Sequence, residues 1–536
     1  VSEHTDRYGE QTEFTETERQ GRSPGEQEPA DQRRRIRWIG LGVGVGVAVL
    51  IYFVLPADLG PAGRLTAATA ALMAVWWMTE AIPIPATALV PLVIFPAFTE
   101  VKFDDVGASY GNNIIFLFMG GFLLALAMQR WNLHRRIALT TVRLMGTRPP
   151  MVVAGFMLAT GFLSMWVSNT ATAVMMLPIG VSVLMLATGL ARRVDRGAGR
   201  EESQGSSAVE DPDPTSPAVK EEVVRSNFGT ALMLGIAYAA SIGSLATIIG
   251  TPPNAFLVGF LSSNYDIQIG FGQWMLVGLP IALIMLVVTW LLLTKVLFRP
   301  EISEIPGGRE LMSEELRKLG PMSSGEKRVL AIFVLAVIAW VALPLIFDSP
   351  PLSDAGIAMA VGVLLFILPA GAAKGVRLLD WHSAVQLPWG VLLLFGGGLA
   401  LSSQFTDSGL TAWVGERAQG LGFLPTIALV AVLVAGVIFL TELTSNTATA
   451  ASVLPLVAGL AIGLDQPLLM LTVPVALAAT CAFMLPVATP PNAIAYGSGY
   501  VTVGQMVKGG LWLNVIGIVV ITLLGMALIP LAFLGG

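Results

Sequence analysis

The hexapeptide Ser168-Asn169-Thr170-Ala171-Thr172-Ala173 recurs letter for letter as Ser445-Asn446-Thr447-Ala448-Thr449-Ala450. Both copies run on to a Leu-Pro pair, Leu177-Pro178 and Leu454-Pro455. Each hexapeptide sits near the middle of an apolar stretch, 151–190 and 424–461. Each stretch is about twice the ~20 residues that one membrane-spanning helix needs. A polar tripeptide at the centre of such a run predicts a helical hairpin that folds back there. Two more features repeat in the same order. Phe118-Met119-Gly120-Gly121 answers to Leu394-Phe395-Gly396-Gly397, and Thr251-Pro252-Pro253-Asn254-Ala255 answers to Thr489-Pro490-Pro491-Asn492-Ala493. The interval from Gly120 to Gly396 and that from Ser168 to Ser445 differ by a single position. The interval from Thr251 to Thr489 is shorter, by close to the length of the polar insert at 192–227. The chain therefore reads as one duplicated unit with a loop inserted in its first copy.

Composition sets the medium. Of 536 residues, 54% are hydrophobic and 12% charged, with a mean hydropathy of +0.73. Soluble proteins carry roughly 25% charged residues, so a soluble enzyme, a nucleic-acid binder and a disordered scaffold are excluded. An all-α polytopic membrane protein remains. The single cysteine, Cys481, excludes an intrachain disulfide, and His4, His134 and His382 are too scattered for a metal cluster.

Apolar segments lie at 38–56, 63–79, 84–99, 112–129, 151–190, 228–264, 272–298, 328–347, 353–370, 388–404, 424–461, 467–500 and 509–533. Cytoplasmic loops carry the excess of Lys and Arg. With the N-terminus inside, only Arg64, Lys102 and Arg417 of the 31 Lys and Arg fall outside. The outer connections carry acids instead, among them Glu100, Asp104, Asp266, Asp348 and Asp465. The expected topology has a cytoplasmic N-terminus, an external C-terminus, eleven crossings and two hairpins. The helix of Gly120 then runs inward and that of Gly396 outward, so the repeat is inverted. Inverted repeats with interrupted helices mark secondary transporters, whose sites lie at the repeat interface.

Ser-Asn-Thr at a hairpin tip offers hydroxyl and amide oxygens to a cation, and N–H and O–H donors to an anion. Small polar packing accounts for one such tripeptide; it does not account for an identical hexapeptide at mirrored places. Paired prolines remove two backbone donors and disfavour helix before them, which predicts unwinding at 250–253 and 488–491. Freed carbonyls suit Na⁺, while Asn254 and Asn492 are placed to cap the following half-helices, whose N-terminal ends favour anions. No Lys or Arg lies in 151–190, 228–294 or 424–507. An anion bound there has its charge offset by cations, helix ends and hydroxyls, so anion and cation bind together. Glu80 and Glu442 are the acids near these segments. A buried carboxylate can relay protons. A solvated or helix-end role suits Glu80 at least as well, and for Glu442 hydrogen bonding within its hairpin tip is favoured over carrying a coupling proton.

These motifs resemble those of the divalent anion/sodium symporters, which include the INDY-type dicarboxylate transporters. The likeness spans roughly 36–536 and rests on the two Ser-Asn-Thr tips, the two Thr-Pro-Pro-Asn breaks and Thr79-Glu80-Ala81-Ile82-Pro83. It implies one Na⁺ at Ser164, Ser168, Asn169 and the Gly250 carbonyl, and another at Thr441, Ser445, Asn446 and the Ala488 carbonyl. Substrate carboxylates are implied to meet Asn169, Thr170, Asn446 and Thr447, with Thr251, Thr489 and Pro490 nearby. Thr441 follows Ser164 at the same interval that separates the two hexapeptides. Two or more sodium ions, no organic cofactor, a homodimer in the plasma (inner) membrane and an elevator-type movement are further implications.

The expected partition follows. It has a polar tail (1–35), scaffold helices (36–104), first-repeat transport elements (105–191) and a flexible insert (192–227). The broken helix (228–271), scaffold helices of both repeats (272–387), second-repeat transport elements (388–508) and a last scaffold helix (509–536) complete it. The leading function is sodium-coupled symport of succinate, malate or fumarate. A sodium-independent exchanger, a carrier of citrate, sulfate or another oxyanion, and a channel are the alternatives. An enzyme is disfavoured, since the spans hold no nucleophile–base pair or metal-ligand set.

Overall fold

The computed structural model describes residues 30–197, 226–305, 308–347, 350–371 and 375–534. Among these residues the secondary structure is helical, with a single isolated β-bridge between Pro369 and Arg377. Helices of eight residues or more are α1 (Ala30–Val54), α2 (Gly60–Thr79), α3 (Val90–Phe98), α4 (Asn113–Arg130) and α5 (Leu133–Met145). The first hairpin and first broken helix follow as α6 (Pro149–Ser164), α7 (Asn169–Gly197), α8 (Asn227–Ser244) and α9 (Pro252–Tyr265). Next come α10 (Phe271–Leu291), α11 (Gly308–Lys318), α12 (Ser324–Ile346), α13 (Asp354–Ile367), α14 (Trp389–Asp407) and α15 (Leu410–Ala418). The second hairpin is α16 (Thr426–Thr441) and α17 (Asn446–Gly463), the second broken helix α18 (Leu468–Thr480) and α19 (Pro490–Gly497), and α20 (Val503–Ile529) ends the series. Among the described residues, eight helices are long and apolar enough to cross a membrane.

Local chemistry sets the ends. The Asn112 side chain accepts the Ile114 N–H at the start of α4, and Ser323 with Glu326, like Thr502 with Gln505, forms a reciprocal capping box. Prolines open α6, α9 and α19, where a missing N–H costs nothing. Glu80 is exposed in a left-handed conformation (φ 46°) as the C-terminal cap of α2, the helix-end role expected of it.

Three observations depart from the sequence reading. The first helix begins at Ala30, inside the stretch read as tail, and α7 runs to Gly197, inside the insert; 1–29 and 198–225 lie outside the described residues. The breaks fall at 245–251 and 481–489, mostly before the prolines rather than at 250–253 and 488–491. The reason is that proline fits the first turn of a helix and constrains the residue before it. Thr251 (φ −145°, ψ 144°) and Thr489 (φ −141°, ψ 150°) are accordingly extended. The third departure is that α5, α11 and α15 are helices within connections read as polar loops.

Packing groups the helices differently from the expected partition. α4 lies along α13, where a methyl on Gly120 would stand 2.5 Å from the Ala358 carbonyl oxygen. α14 lies as close to the 84–88 turn, where a methyl on Gly397 would stand 2.1 Å from the Ala88 carbonyl oxygen. The duplicated Gly-Gly pairs thus serve close backbone approach. α10 and α20 instead pack on the hairpin side. The Trp274 indole N–H donates to the Leu245 carbonyl (3.1 Å), and the Asn514 amide donates to Glu442 (2.8 Å).

Candidate functional site

The two tips, 165–168 and 442–445, each follow a helix of 16 residues, α6 and α16. Ser164 ends α6, and its hydroxyl oxygen lies 2.8 Å from Asn169 Oδ1 and 2.6 Å from the Ala240 carbonyl oxygen. Thr441 ends α16, and its hydroxyl oxygen lies 2.8 Å from Asn446 Oδ1 and 2.8 Å from the Ala479 carbonyl oxygen. Each hydroxyl has one hydrogen and faces two acceptors. Both sites therefore hold more oxygen lone pairs than donors, deep in the protein, with Ser164 and Thr441 fully buried. This donor set of hydroxyl, amide and carbonyl oxygens fits a hard monovalent cation such as Na⁺. It does not fit a transition metal, and no group of three or more His, Cys, Asp or Glu is gathered among the described residues.

The tips and breaks are tied together. In the first copy Asn169 Nδ2 donates to Ser244 Oγ (3.3 Å), and the Thr247 hydroxyl donates to the Met165 carbonyl (2.6 Å). In the second copy the Glu442 carboxylate accepts three successive backbone N–H groups, from Phe483 (2.6 Å), Met484 (2.8 Å) and Leu485 (3.1 Å). With Asn514, four donors surround it. Glu442 is buried and structural, as the sequence suggested, but it braces the second break rather than its own tip. The two breaks also meet: Thr251 Oγ1 lies 3.3 Å from Thr480 Oγ1, both buried.

A cavity of about 1090 Å³ opens beside these groups. Ser168, Asn169, Thr170, Gly250, Thr251, Ser445, Asn446, Thr447, Ala488 and Pro490 all line it. Ser164 and Thr441 are not among its lining residues, nor is Thr489, whose hydroxyl instead accepts the Asn492 N–H at 3.3 Å. The helices α7, α9, α17 and α19 all begin at or beside the cavity, at Asn169, Pro252, Asn446 and Pro490. Four helix N-termini give an anion positive potential without a cationic side chain. The charged lining residues, Arg37 and Glu80, come from α1 and the end of α2 rather than from a hairpin or a break.

Sequence reasoning missed Ser244, which holds Asn169, and the linkage of Glu442 to 483–485. It placed Asn254 and Asn492 as caps of the following half-helices, but their amides turn back to carbonyls of the breaks and, for Asn254, of Ser244 at the end of α8. The doubled Thr-Pro-Pro-Asn was the signal that marked them.

Hairpins and broken helices that bring helix N-termini and oxygen clusters to one cavity define a membrane protein of the secondary-transporter class. The family model described as the sodium:sulfate symporter transmembrane region matches residues 36–534. The chain belongs to that family. It is 42% identical to the sodium-dependent dicarboxylate transporter SdcS of Staphylococcus saprophyticus over 480 residues, covering 89% of this chain and 88% of the relative. It is 42% identical to SdcS of Staphylococcus aureus strain USA300 over 486 residues, covering 90% and 89%. The crystal structure of the Alcanivorax borkumensis YdaH transporter shares the fold, with a TM-score of 0.51 at 13% identity over 85% of this chain and 98% of that one.

Proposed function

We propose that this protein is a sodium-coupled symporter of C4-dicarboxylates such as succinate, malate and fumarate. The observation that carries the reading is the mirrored pair of oxygen-rich clusters at Ser164–Asn169 and Thr441–Asn446 beside one cavity. The relatives named as sodium-dependent dicarboxylate transporters add the substrate class. One Na⁺ sits with Ser164, Ser168, Asn169 and the Gly250 carbonyl, a second with Thr441, Ser445, Asn446 and the Ala488 carbonyl. Substrate carboxylates lie against Asn169, Thr170, Asn446 and Thr447, with Thr251 and Pro490 near; Thr489 supports the backbone instead. The cations supply the positive charge that the site lacks, so neither ligand binds well alone.

The two halves form an inverted repeat. Packing of the described residues favours a moving body of 149–197, 226–297 and 426–534, including α10 and α20, with α4, α13 and α14 in the frame. This body travels as an elevator in a homodimer of the plasma membrane, N-terminus cytoplasmic and C-terminus external. Since Ile36, Arg37, Glu80 and Gln386 line the cavity, it faces the cytoplasm. Uptake of labelled succinate into proteoliposomes tests the proposal. Accumulation is expected to follow an imposed Na⁺ gradient; equal uptake with and without that gradient rejects symport.

A further inference from the structure

Where the backbone leaves a helix its carbonyls lose their intrahelical partners, and at each break a buried asparagine collects several of them. Asn254 Nδ2 donates to the carbonyls of Ser244 (3.3 Å), Leu245 (3.3 Å) and Thr247 (2.9 Å). Asn492 Nδ2 donates to those of Ala482 (3.3 Å) and Leu485 (3.1 Å). Asn492, Ala482 and Leu485 follow Asn254, Ser244 and Thr247 at one common interval, that of Thr251 and Thr489, so the arrangement is the same device built twice. Both asparagines have no exposed surface, and Oδ1 of each has no partner. The amides are therefore held by what their N–H groups do.

What they hold leads to the cation sites. The Thr247 carbonyl also accepts the Gly250 N–H (3.4 Å), and the Leu485 carbonyl accepts the Ala488 N–H (3.2 Å). Fixing that carbonyl fixes the turn that presents residue 250 or 488. Ser244, gripped through its carbonyl, also offers the hydroxyl that orients Asn169. We infer that Asn254 and Asn492 are positioning residues that set the backbone oxygens of the two sodium sites. This inference rests on the sodium-coupled reading above. The two are not equally needed. The second break is also pinned by Glu442 through three N–H groups, and charge-assisted bonds of that kind are the strong ones. The mirror position of Glu442 is Met165, which has no charge to offer.

The test is thermal unfolding of the purified full-length protein across a Na⁺ titration without dicarboxylate, since a ligand of the native state raises its apparent stability. Asn254→Leu and Asn492→Leu keep the volume and remove the donors; Asn254→Ser and Asn492→Ser serve if either fails to fold. Loss of a supporting residue behind a metal ligand costs roughly 10- to 100-fold in affinity. The Na⁺ concentration for half-maximal stabilisation should rise at least ~10-fold for the Asn254 variant and less for the Asn492 variant. A role confined to folding would lower the sodium-free melting temperature and leave both midpoints unmoved, which overturns the inference. A larger rise at Asn492 than at Asn254 overturns the asymmetry. Wild-type protein that ignores Na⁺ rejects the sodium reading itself.

Discussion

The two tips bind the same pair of positions to their breaks by opposite chemistry. In the first, a side chain donates to the backbone, as the Thr247 hydroxyl reaches the Met165 carbonyl. In the second, the backbone donates to a side chain, as the Leu485 N–H reaches the Glu442 carboxylate. Leu485 follows Thr247 at the interval of the two Thr-Pro-Pro-Asn motifs, and Glu442 follows Met165 at that of the hexapeptides, so these are corresponding positions. The oxygen clusters meanwhile stay alike, each a hydroxyl 2.8 Å from an asparagine oxygen. The comparison separates what the ligand demands from what the fold tolerates. Donor atoms are held to one pattern, while the bracing behind them has diverged.

Removing the shared part should have the largest effect. Asn169→Ala or Asn446→Ala is expected to reduce sodium-driven uptake to background while the protein still purifies folded. Wild-type uptake in either variant would break the equivalence of the two clusters. A smaller effect should come from exchanging the residues that present the break carbonyls. A methyl on Gly250 would stand 2.3 Å from the Ser244 carbonyl oxygen, whereas position 488 already carries one. Overpacking costs about 1–3 kcal/mol, so Gly250→Ala should cut the apparent sodium affinity roughly 10- to 100-fold. Ala488→Gly should stay within about twofold, as read from uptake against Na⁺ concentration. Equal effects would mean that the two breaks are braced alike. The smallest effect on transport concerns the diverged bracing, which is read on stability rather than on sodium affinity. Glu442→Gln exchanges an acceptor-only group for one that presents N–H₂ to backbone donors, at about 1.5–3 kcal/mol. Met165→Leu conserves volume and should cost less than about 1.5 kcal/mol. Melting temperatures in saturating Na⁺ measure both, and a silent Glu442→Gln would remove the carboxylate from the account.

Much of this was legible because duplication made it so. Apolar runs located helices to within a few residues, as 353–370 against Asp354–Ile367 shows. The run at 424–461 divided into Thr426–Thr441 and Asn446–Gly463, on either side of the expected tip. Helix α5, Leu-His-Arg-Arg-Ile-Ala-Leu-Thr-Thr-Val-Arg-Leu-Met, was not seen, because its charges and apolar residues alternate around an amphipathic helix and leave no apolar run. At the site, the residues proposed as ligands stood out as paired motifs. Their supports did not, because Glu442 meets Phe483 and Asn514, partners far along the chain from it. No spacing rule reaches that far. The packing of α10 and α20 on the hairpins was hidden for the same reason, since hydropathy gives a helix its medium but not its neighbours.

The contact between Thr251 and Thr480 departs from the symmetry of the repeat. Had two separate chains once met in opposite orientations, a two-fold axis would have produced this contact twice. In the register of the Ala240 and Ala479 carbonyls, which meet Ser164 and Thr441, the position matching Thr480 is Ser241; the interval of the Thr-Pro-Pro-Asn motifs pairs it with Ile242, which has no hydroxyl. The second contact would therefore join Ser241 to Thr489. It is not made: the Ser241 hydroxyl is buried without a partner, and the Thr489 hydroxyl is engaged by Asn492. One chain can carry a seam with a single such bond, because its two sides need not be identical, and here the two halves do not answer to one another hydroxyl for hydroxyl.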